Sequence, residues 1–219
     1  MTKWAPAKTD TLDALAAEIL HNYGRGRVIV AVDGIDGAGK TRFADALGDA
    51  LRRAGHTVFR ASIDGFHNTR ALRYARGATS PEGFYRDSYD YETFRRVLID
   101  PFKDGGTGSF VLEAFDHRRD AAVEPKWVTG KPDSILLVDG IFLNRPELRG
   151  LWNYSIWLDV DTAVAAQRCL ERDGEGGVGD RYTKGQALYV KEAKPRTVAT
   201  AIVDNNDYDH PRRVFADSC

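Results

Sequence analysis

Gly34, Gly39, Lys40 and Thr41 stand in the order G-x-x-x-x-G-K-T within RVIVAVDGIDGAGKT, residues 27–41. These residue types at this spacing handle phosphate. Several backbone N–H groups must converge on an anion, and a Cβ at the wrong position would block the approach. Lys40 can reach the β- and γ-phosphates, and the Thr41 hydroxyl can ligate Mg²⁺. Gly34, Ile35, Asp36, Gly37, Ala38, Gly39, Lys40, Thr41 and Arg42 are therefore the candidate nucleotide-binding residues. The motif needs a strand before it and a helix after it. VIVAV at 28–32 reads as a strand buried on both faces, and RFADALGDALRRAG continues as a helix whose free N–H groups face the same anion.

Further candidates sit where apolar strands end. TVFRASID ends at Asp64, and SILLV at 134–138 runs into Asp139-Gly140. Ligands in open α/β sheets lie beyond the carboxyl ends of strands, so both acids are expected beside the phosphate loop. An apolar strand closing on a carboxylate, downstream of such a loop, is the pattern that holds Mg²⁺ directly or through water, so Thr41 and Asp139 form the expected metal pair. SFVLEAFDH is also read as a strand, ending at Asp116 and His117. Asp33, Asp159 and Asp204 complete the expected row of strand-end acids.

The elements that must position these groups follow from periodicity. A helix is expected from Asp10 or Thr11 to about Tyr23, and an amphipathic helix over YETFRRVLIDPF. Residues 67–90 are rich in Arg and aromatics and lack a clean period, which predicts a functional loop. Phe66, His67 and Tyr85 join the candidate acceptor-contacting residues there. TAVAAQRCLERD, carrying Arg168 and Arg172 at i and i+4, and DRYTKGQALYVKEAKP are two helices joined by GEGGVG. That arrangement fits a lid, at about 168–195, closing over a phosphoryl group. Alternating strands and helices predict an α/β three-layer fold with a mostly parallel five-stranded sheet. One domain over 1–219 is expected, with a substrate-side insertion at about 65–92. YDHPRRVF is a candidate edge strand.

The bulk properties narrow the function. Thirty-one basic and 32 acidic residues in 219 create no field for nucleic acid. Cys169 and Cys219 are too far apart in sequence to suggest a disulfide framework or metal site, and Cys169 is expected on a packed helix face. MTKWAPAK lacks the apolar core of a signal peptide, and no run approaches a membrane span. A cytoplasmic protein without a membrane partner is expected; assembly into a homo-oligomer is left open.

VDGIDGAGKT, IDGF at 63–66, SYDYETF at 88–94, FDHRR at 115–119, LLVDGIF at 136–142 and the arginines from Arg168 resemble the phosphoribulokinase/uridine kinase family of P-loop kinases. The resemblance implies ATP or GTP as donor, Mg²⁺ as cofactor, and a small-molecule alcohol as acceptor. By that resemblance Asp64 is the base facing a sugar hydroxyl, Asp90 binds ribose hydroxyls, and Phe115 and His117 touch a pyrimidine. Arg168 and Arg172 join Lys40 in offsetting charge on the moving phosphoryl. Four features depart from uridine kinases: Gly65-Phe66-His67 replaces Ser-Phe-Tyr, the segment before His117 is shorter, Asp139 stands in place of Glu, and the lid is glycine-rich. Pantothenate, a sugar or a sugar phosphate is thus an alternative acceptor, with Arg70, Arg73, Arg76 and Arg86 as potential anion contacts for a phosphorylated one. A GTPase-type switch would need an Asn-Lys-x-Asp base-reading motif, which the chain lacks.

Overall fold

The computed structural model describes residues 6–174 and 179–215. Cys219 and the Glu175–Val178 part of the expected hinge lie outside them. The central sheet contains β1 (Val28–Gly34), β2 (Val58–Ser62), β7 (Ile135–Asp139), β8 (Tyr154–Asp159), β9 (Ala201–Asp204) and β10 (Arg212–Val214). Their order is β10-β9-β8-β1-β7-β2. The sheet is mostly parallel, as expected, but has six strands where five are expected: five run parallel and β10 joins antiparallel at the edge, within the YDHPRRVF segment.

Burial on both faces explains the unbroken apolar runs of the central strands. In β1, Ile29 and Ala31 enter one core and Val28, Val30 and Val32 the other; Leu136 and Val138 oppose Ile135 and Leu137 in the same way on β7. One face is covered by α1 (Lys8–Tyr23) and α2 (Lys40–Arg53), with Leu12, Leu15, Ile19, Phe43 and Leu47 pointing inward. The other core is aromatic: Phe66, Phe84, Tyr85, Tyr89, Phe94, Phe102, Phe110, Phe142 and Tyr189 are all buried there.

The expected 109–117 strand is not part of this sheet. It divides into β3 (Ser109–Val111) and β4 (Phe115–Asp116), which pair antiparallel with β6 (Trp127–Thr129) and β5 (Ala121–Ala122) in two small ribbons. Asp116 therefore leaves the row of strand-end acids. Its Oδ1 accepts from the Arg118 and Arg119 backbone N–H groups at 2.9 and 3.2 Å, the ordinary work of an Asp in a turn.

The segment expected as a substrate-side insertion is more helical than its pattern suggests. It holds α3 (Arg70–Arg73) and α4 (Pro81–Asp87), capped by the Thr69 and Ser80 hydroxyls. α5 (Tyr91–Phe94) and α6 (Asp100–Phe102) follow, separated by a π-helical turn at Arg95–Ile99. On either side of the glycine-rich stretch stand α7 (Thr162–Asp173) and α8 (Asp180–Ala193), then α9 (Pro195–Val198). Cys169 is buried on α7, as a packed helix-face residue should be.

Candidate active site

The phosphate loop joins β1 to α2. Gly37 and Gly39 have φ of +75° and +83°, the left-handed region that side chains resist. A Cβ on Gly37 would also lie 2.2 Å from the Ala165 carbonyl oxygen. The Lys40 ammonium donates to the Ile35 carbonyl at 2.8 Å, lying back across its own loop. The Asp36 N–H donates to Gln186 Oε1 at 2.5 Å, and the Asp36 carboxylate takes Arg172 at 3.2 Å.

Parallel register aligns the carboxyl ends of β1, β7 and β2, because Asp139 pairs with Val32 on one side and Ser62 on the other. The Thr41 hydroxyl donates to Asp139 Oδ2 at 2.6 Å. Asp139 Oδ1 accepts from Arg60 at 2.8 Å, and the carboxylate is almost fully buried. Thr41 and Asp139 are adjacent hard oxygen donors. They suit a Mg²⁺ that keeps most of its water and takes one or two protein ligands. Both line a cavity of about 460 Å³ that continues along Ser62 and Gly65 to Glu113 and Lys126. The cavity thus joins Thr41 and Asp139 to Gly65 of the turn that carries Asp64, while Asp64 itself is not among its lining residues.

Asp64 lies in a 3₁₀ turn, Ile63–Phe66, directly after β2. It is exposed. Tyr89 donates to its Oδ1 at 2.9 Å, and the His67 ring meets its backbone carbonyl through Nδ1 at 2.8 Å. His67 stacks on His117, with ring centroids 4.8 Å apart and planes 30° from parallel. Burial lowers the His67 pKa, outweighing the bond to Asp64 and its charge. The structure therefore brings Asp64, His67 and His117 together. Arg73 closes on the same group, with its guanidinium 3.5 Å from the His117 carbonyl and 3.4 Å from Asp120.

Other expected acceptor contacts are placed differently. Phe66 and Tyr85 are about 1 % exposed and belong to the aromatic core, so neither presents surface to a ligand. Asp90 caps α5, its Oδ1 accepting from the Thr93 N–H at 2.9 Å. Phe115 is half-buried on β4. Arg168 spends its guanidinium on the carbonyls of Gly37, Asn205 and Asn206 and lies 3.6 Å from the centroid of the Tyr208 ring. Arg42 stacks on the same ring at 4.4 Å. Arg168 braces the loop and the 205–208 turn, while Arg172 remains exposed at the loop's edge.

Asp33 is expected only as one of the strand-end acids, and Arg181, Tyr89, Gln186 and Tyr189 are not among the candidate residues. Asp33 is buried, and its carboxylate accepts from the Gly34 and Asn144 N–H groups, the Asn144 side-chain amide and the Tyr189 hydroxyl. Burial pushes its pKa up despite those donors. Arg181 is buried and donates to the carbonyls of Arg73, Gly77, Ala78 and Ser80. Tyr89 stands in the SYDY run, where the adjacent acid, Asp90, is the more obvious ligand. Gln186 and Tyr189 carry no signal beyond helical spacing.

Comparison with known proteins places this geometry in a family. The model of the "Phosphoribulokinase / Uridine kinase family" matches residues 29–192. A uridine kinase from Ligilactobacillus salivarius (strain UCC118) is 26 % identical over 149 residues, 68 % of this chain and 67 % of that protein. Among solved structures, a candidate uridine kinase from Bacillus stearothermophilus superposes with a TM-score of 0.70 at 24 % identity, covering 88 % of this chain and 97 % of that one. A candidate fructose transport system kinase from Silicibacter sp. TM1040 gives 0.64 at 26 % identity, with 86 % and 95 % covered. With a family match spanning the phosphate loop, Asp64, Asp139 and the helices on either side of the glycine-rich stretch, the chain belongs to the phosphoribulokinase/uridine kinase family.

Proposed function

We propose that this protein transfers the γ-phosphoryl group of ATP or GTP to the hydroxyl of a pyrimidine nucleoside such as uridine or cytidine. The observation that carries the reading is the shared cavity. Thr41 and Asp139, the metal pair, line the same space as Gly65, next to the exposed Asp64 carboxylate. In this reading the phosphate loop and Lys40 hold the triphosphate. A bound Mg²⁺, held by Thr41 and Asp139, would supply charge neutralisation at the β- and γ-oxygens. Asp64 orients the acceptor hydroxyl and takes its proton as the new O–P bond forms and the nucleoside diphosphate leaves. Positioning and electrostatics carry most of such a reaction. Arg172 is exposed and paired with Asp36 and Asp173; it would exchange those surface pairs for the phosphoryl group when the helices on either side of the glycine-rich stretch close as a lid.

Two observations favour an uncharged, flat acceptor. The stacked His67 and His117 rings offer a planar heteroaromatic wall beside Asp64. Most of the arginines that could bind an acceptor's phosphate are already paired: Arg73 with Asp120, Arg76 with Asp87, and Arg86 with Glu82 and Glu192. A sugar is the second reading. It is favoured by Gly65-Phe66-His67 in place of Ser-Phe-Tyr, and by likeness to the candidate fructose transport system kinase.

A coupled assay for nucleoside diphosphate release, with Mg²⁺ and either ATP or GTP, tests both readings against uridine, cytidine, fructose, ribose and pantothenate. Stimulation by uridine or cytidine is expected. Stimulation by fructose or ribose alone moves the assignment to a sugar. Slow release that no acceptor changes overturns the kinase reading.

A further inference from the structure

Asp64 is exposed, and an exposed carboxylate on a four-residue turn is free to rotate unless something fixes it. Two contacts do so. The His67 ring holds the backbone, and since its partner is a carbonyl, Nδ1 carries the proton and donates. The Tyr89 hydroxyl holds the side chain through Oδ1 at 2.9 Å. Among the described residues, Oδ2 has no hydrogen-bond partner.

Tyr89 is itself rigidly placed. It is 4 % exposed and sits between the His67, Tyr91 and Phe142 rings, at centroid distances of 4.6, 6.0 and 6.5 Å. Its backbone forms an antiparallel bridge with His67. That bridge is closed by Asn68 N–H to the Ser88 carbonyl at 2.9 Å and Asp90 N–H to the Phe66 carbonyl at 2.8 Å. One clasp therefore fixes both holders of Asp64 relative to each other.

We infer that Tyr89 is a positioning residue for phosphoryl transfer: by occupying Asp64 Oδ1 it leaves Oδ2 as the oxygen that faces the acceptor hydroxyl. The inference rests on Asp64 being the base. Burial, with the Asp64 and Asp36 carboxylates nearby, raises the Tyr89 pKa well above its usual value and keeps the phenol a donor. A pocket residue chosen for ligand contact would show its hydroxyl to the cavity. Tyr89 instead turns it to a carboxylate, and a phenylalanine would pack as well in this aromatic surround.

The test compares wild type, Tyr89→Phe, Asp64→Asn and the double variant in the same acceptor panel. Asp64→Asn should lose about 100-fold or more in kcat as a general base is removed. Tyr89→Phe should lose about 10- to 100-fold in kcat, the scale of a misplaced reacting group, with acceptor KM within about twofold. In the Asp64→Asn background the Tyr89→Phe substitution should cost nothing further, because its effect runs through the carboxylate.

Wild-type kcat in Tyr89→Phe, a rise in KM alone, or an undiminished Tyr89→Phe effect in the Asp64→Asn background overturns the inference and leaves Asp64 as base. Near wild-type turnover in Asp64→Asn, or no acceptor phosphorylated at all, overturns the base assignment and this inference with it. If Tyr89→Phe melts well below wild type, 3-fluorotyrosine at position 89 keeps the shape and strengthens the donor. Its kcat should then differ from wild type at unchanged melting temperature and acceptor KM, and an unchanged kcat sinks the inference.

Discussion

The Tyr189 hydroxyl, on the helix after the glycine-rich stretch, donates to the buried carboxylate of Asp33, on the strand that feeds the phosphate loop. One turn earlier on the same helix, Gln186 accepts the Asp36 N–H, and farther back Arg181 gathers carbonyls from residues 73–80. A single helix thus touches the loop strand, the loop and the 73–80 segment. Tyr189→Phe removes one donor from a buried carboxylate and should cost about 1.5–3 kcal/mol, lowering the melting temperature by roughly 3–10 °C. Thermal or urea unfolding measures it. An unchanged midpoint would show that the other donors to Asp33 suffice.

Lys40 lies across its own loop on the Ile35 carbonyl, a contact that a bound triphosphate would replace. Lys40→Ala should lower turnover about 100-fold or more, as for loss of a charge-stabilising donor, with little change in melting temperature. Steady-state rates at saturating nucleotide check this. A variant within a fewfold of wild type would remove Lys40 from the catalytic set.

Asp139 is shared between Thr41 and Arg60. Asp139→Asn keeps the shape but loses the charge. The Mg²⁺ concentration giving half-maximal rate should rise about 10-fold or more, the scale of lost metal-site support. A Mg²⁺ titration of the rate reads it directly. An unchanged midpoint would assign Asp139 to holding Thr41 and Arg60 without the metal.

His67 titrates below its ordinary value of 6.5 because burial disfavours its charged form. The unfolded chain therefore binds the proton first. The stability this residue contributes is complete above about pH 6.5 and is lost as pH falls through the lowered folded value. Wild-type melting temperature should fall between pH 7 and 5 more steeply than that of His67→Gln, which cannot take the proton. Parallel slopes would assign the acid sensitivity to other groups.

The chemistry at the nucleotide end was legible in the order of residues because it is local. A strand, a glycine-rich turn and a helix N-terminus build the phosphate cradle within 15 consecutive positions, and an apolar run closing on Asp139 marks its strand whatever lies elsewhere. Five parallel strands followed from the same reasoning, since burial on both faces leaves an unbroken apolar signature. The acceptor end was not legible in that way. Asp64 could be proposed from its place after β2, but Asp90 became a cap, Phe66 and Tyr85 became core, and Arg168 turned to backbone carbonyls. Each such role depends on which distant segment packs alongside, and an aromatic or an arginine reads the same in sequence whether it faces a ligand or a neighbour. Only the tertiary structure placed Tyr89 on Asp64, 25 residues away, and Tyr189 on Asp33, 156 away, because hydrogen bonds between side chains form where the fold brings them together and leave no period in the chain.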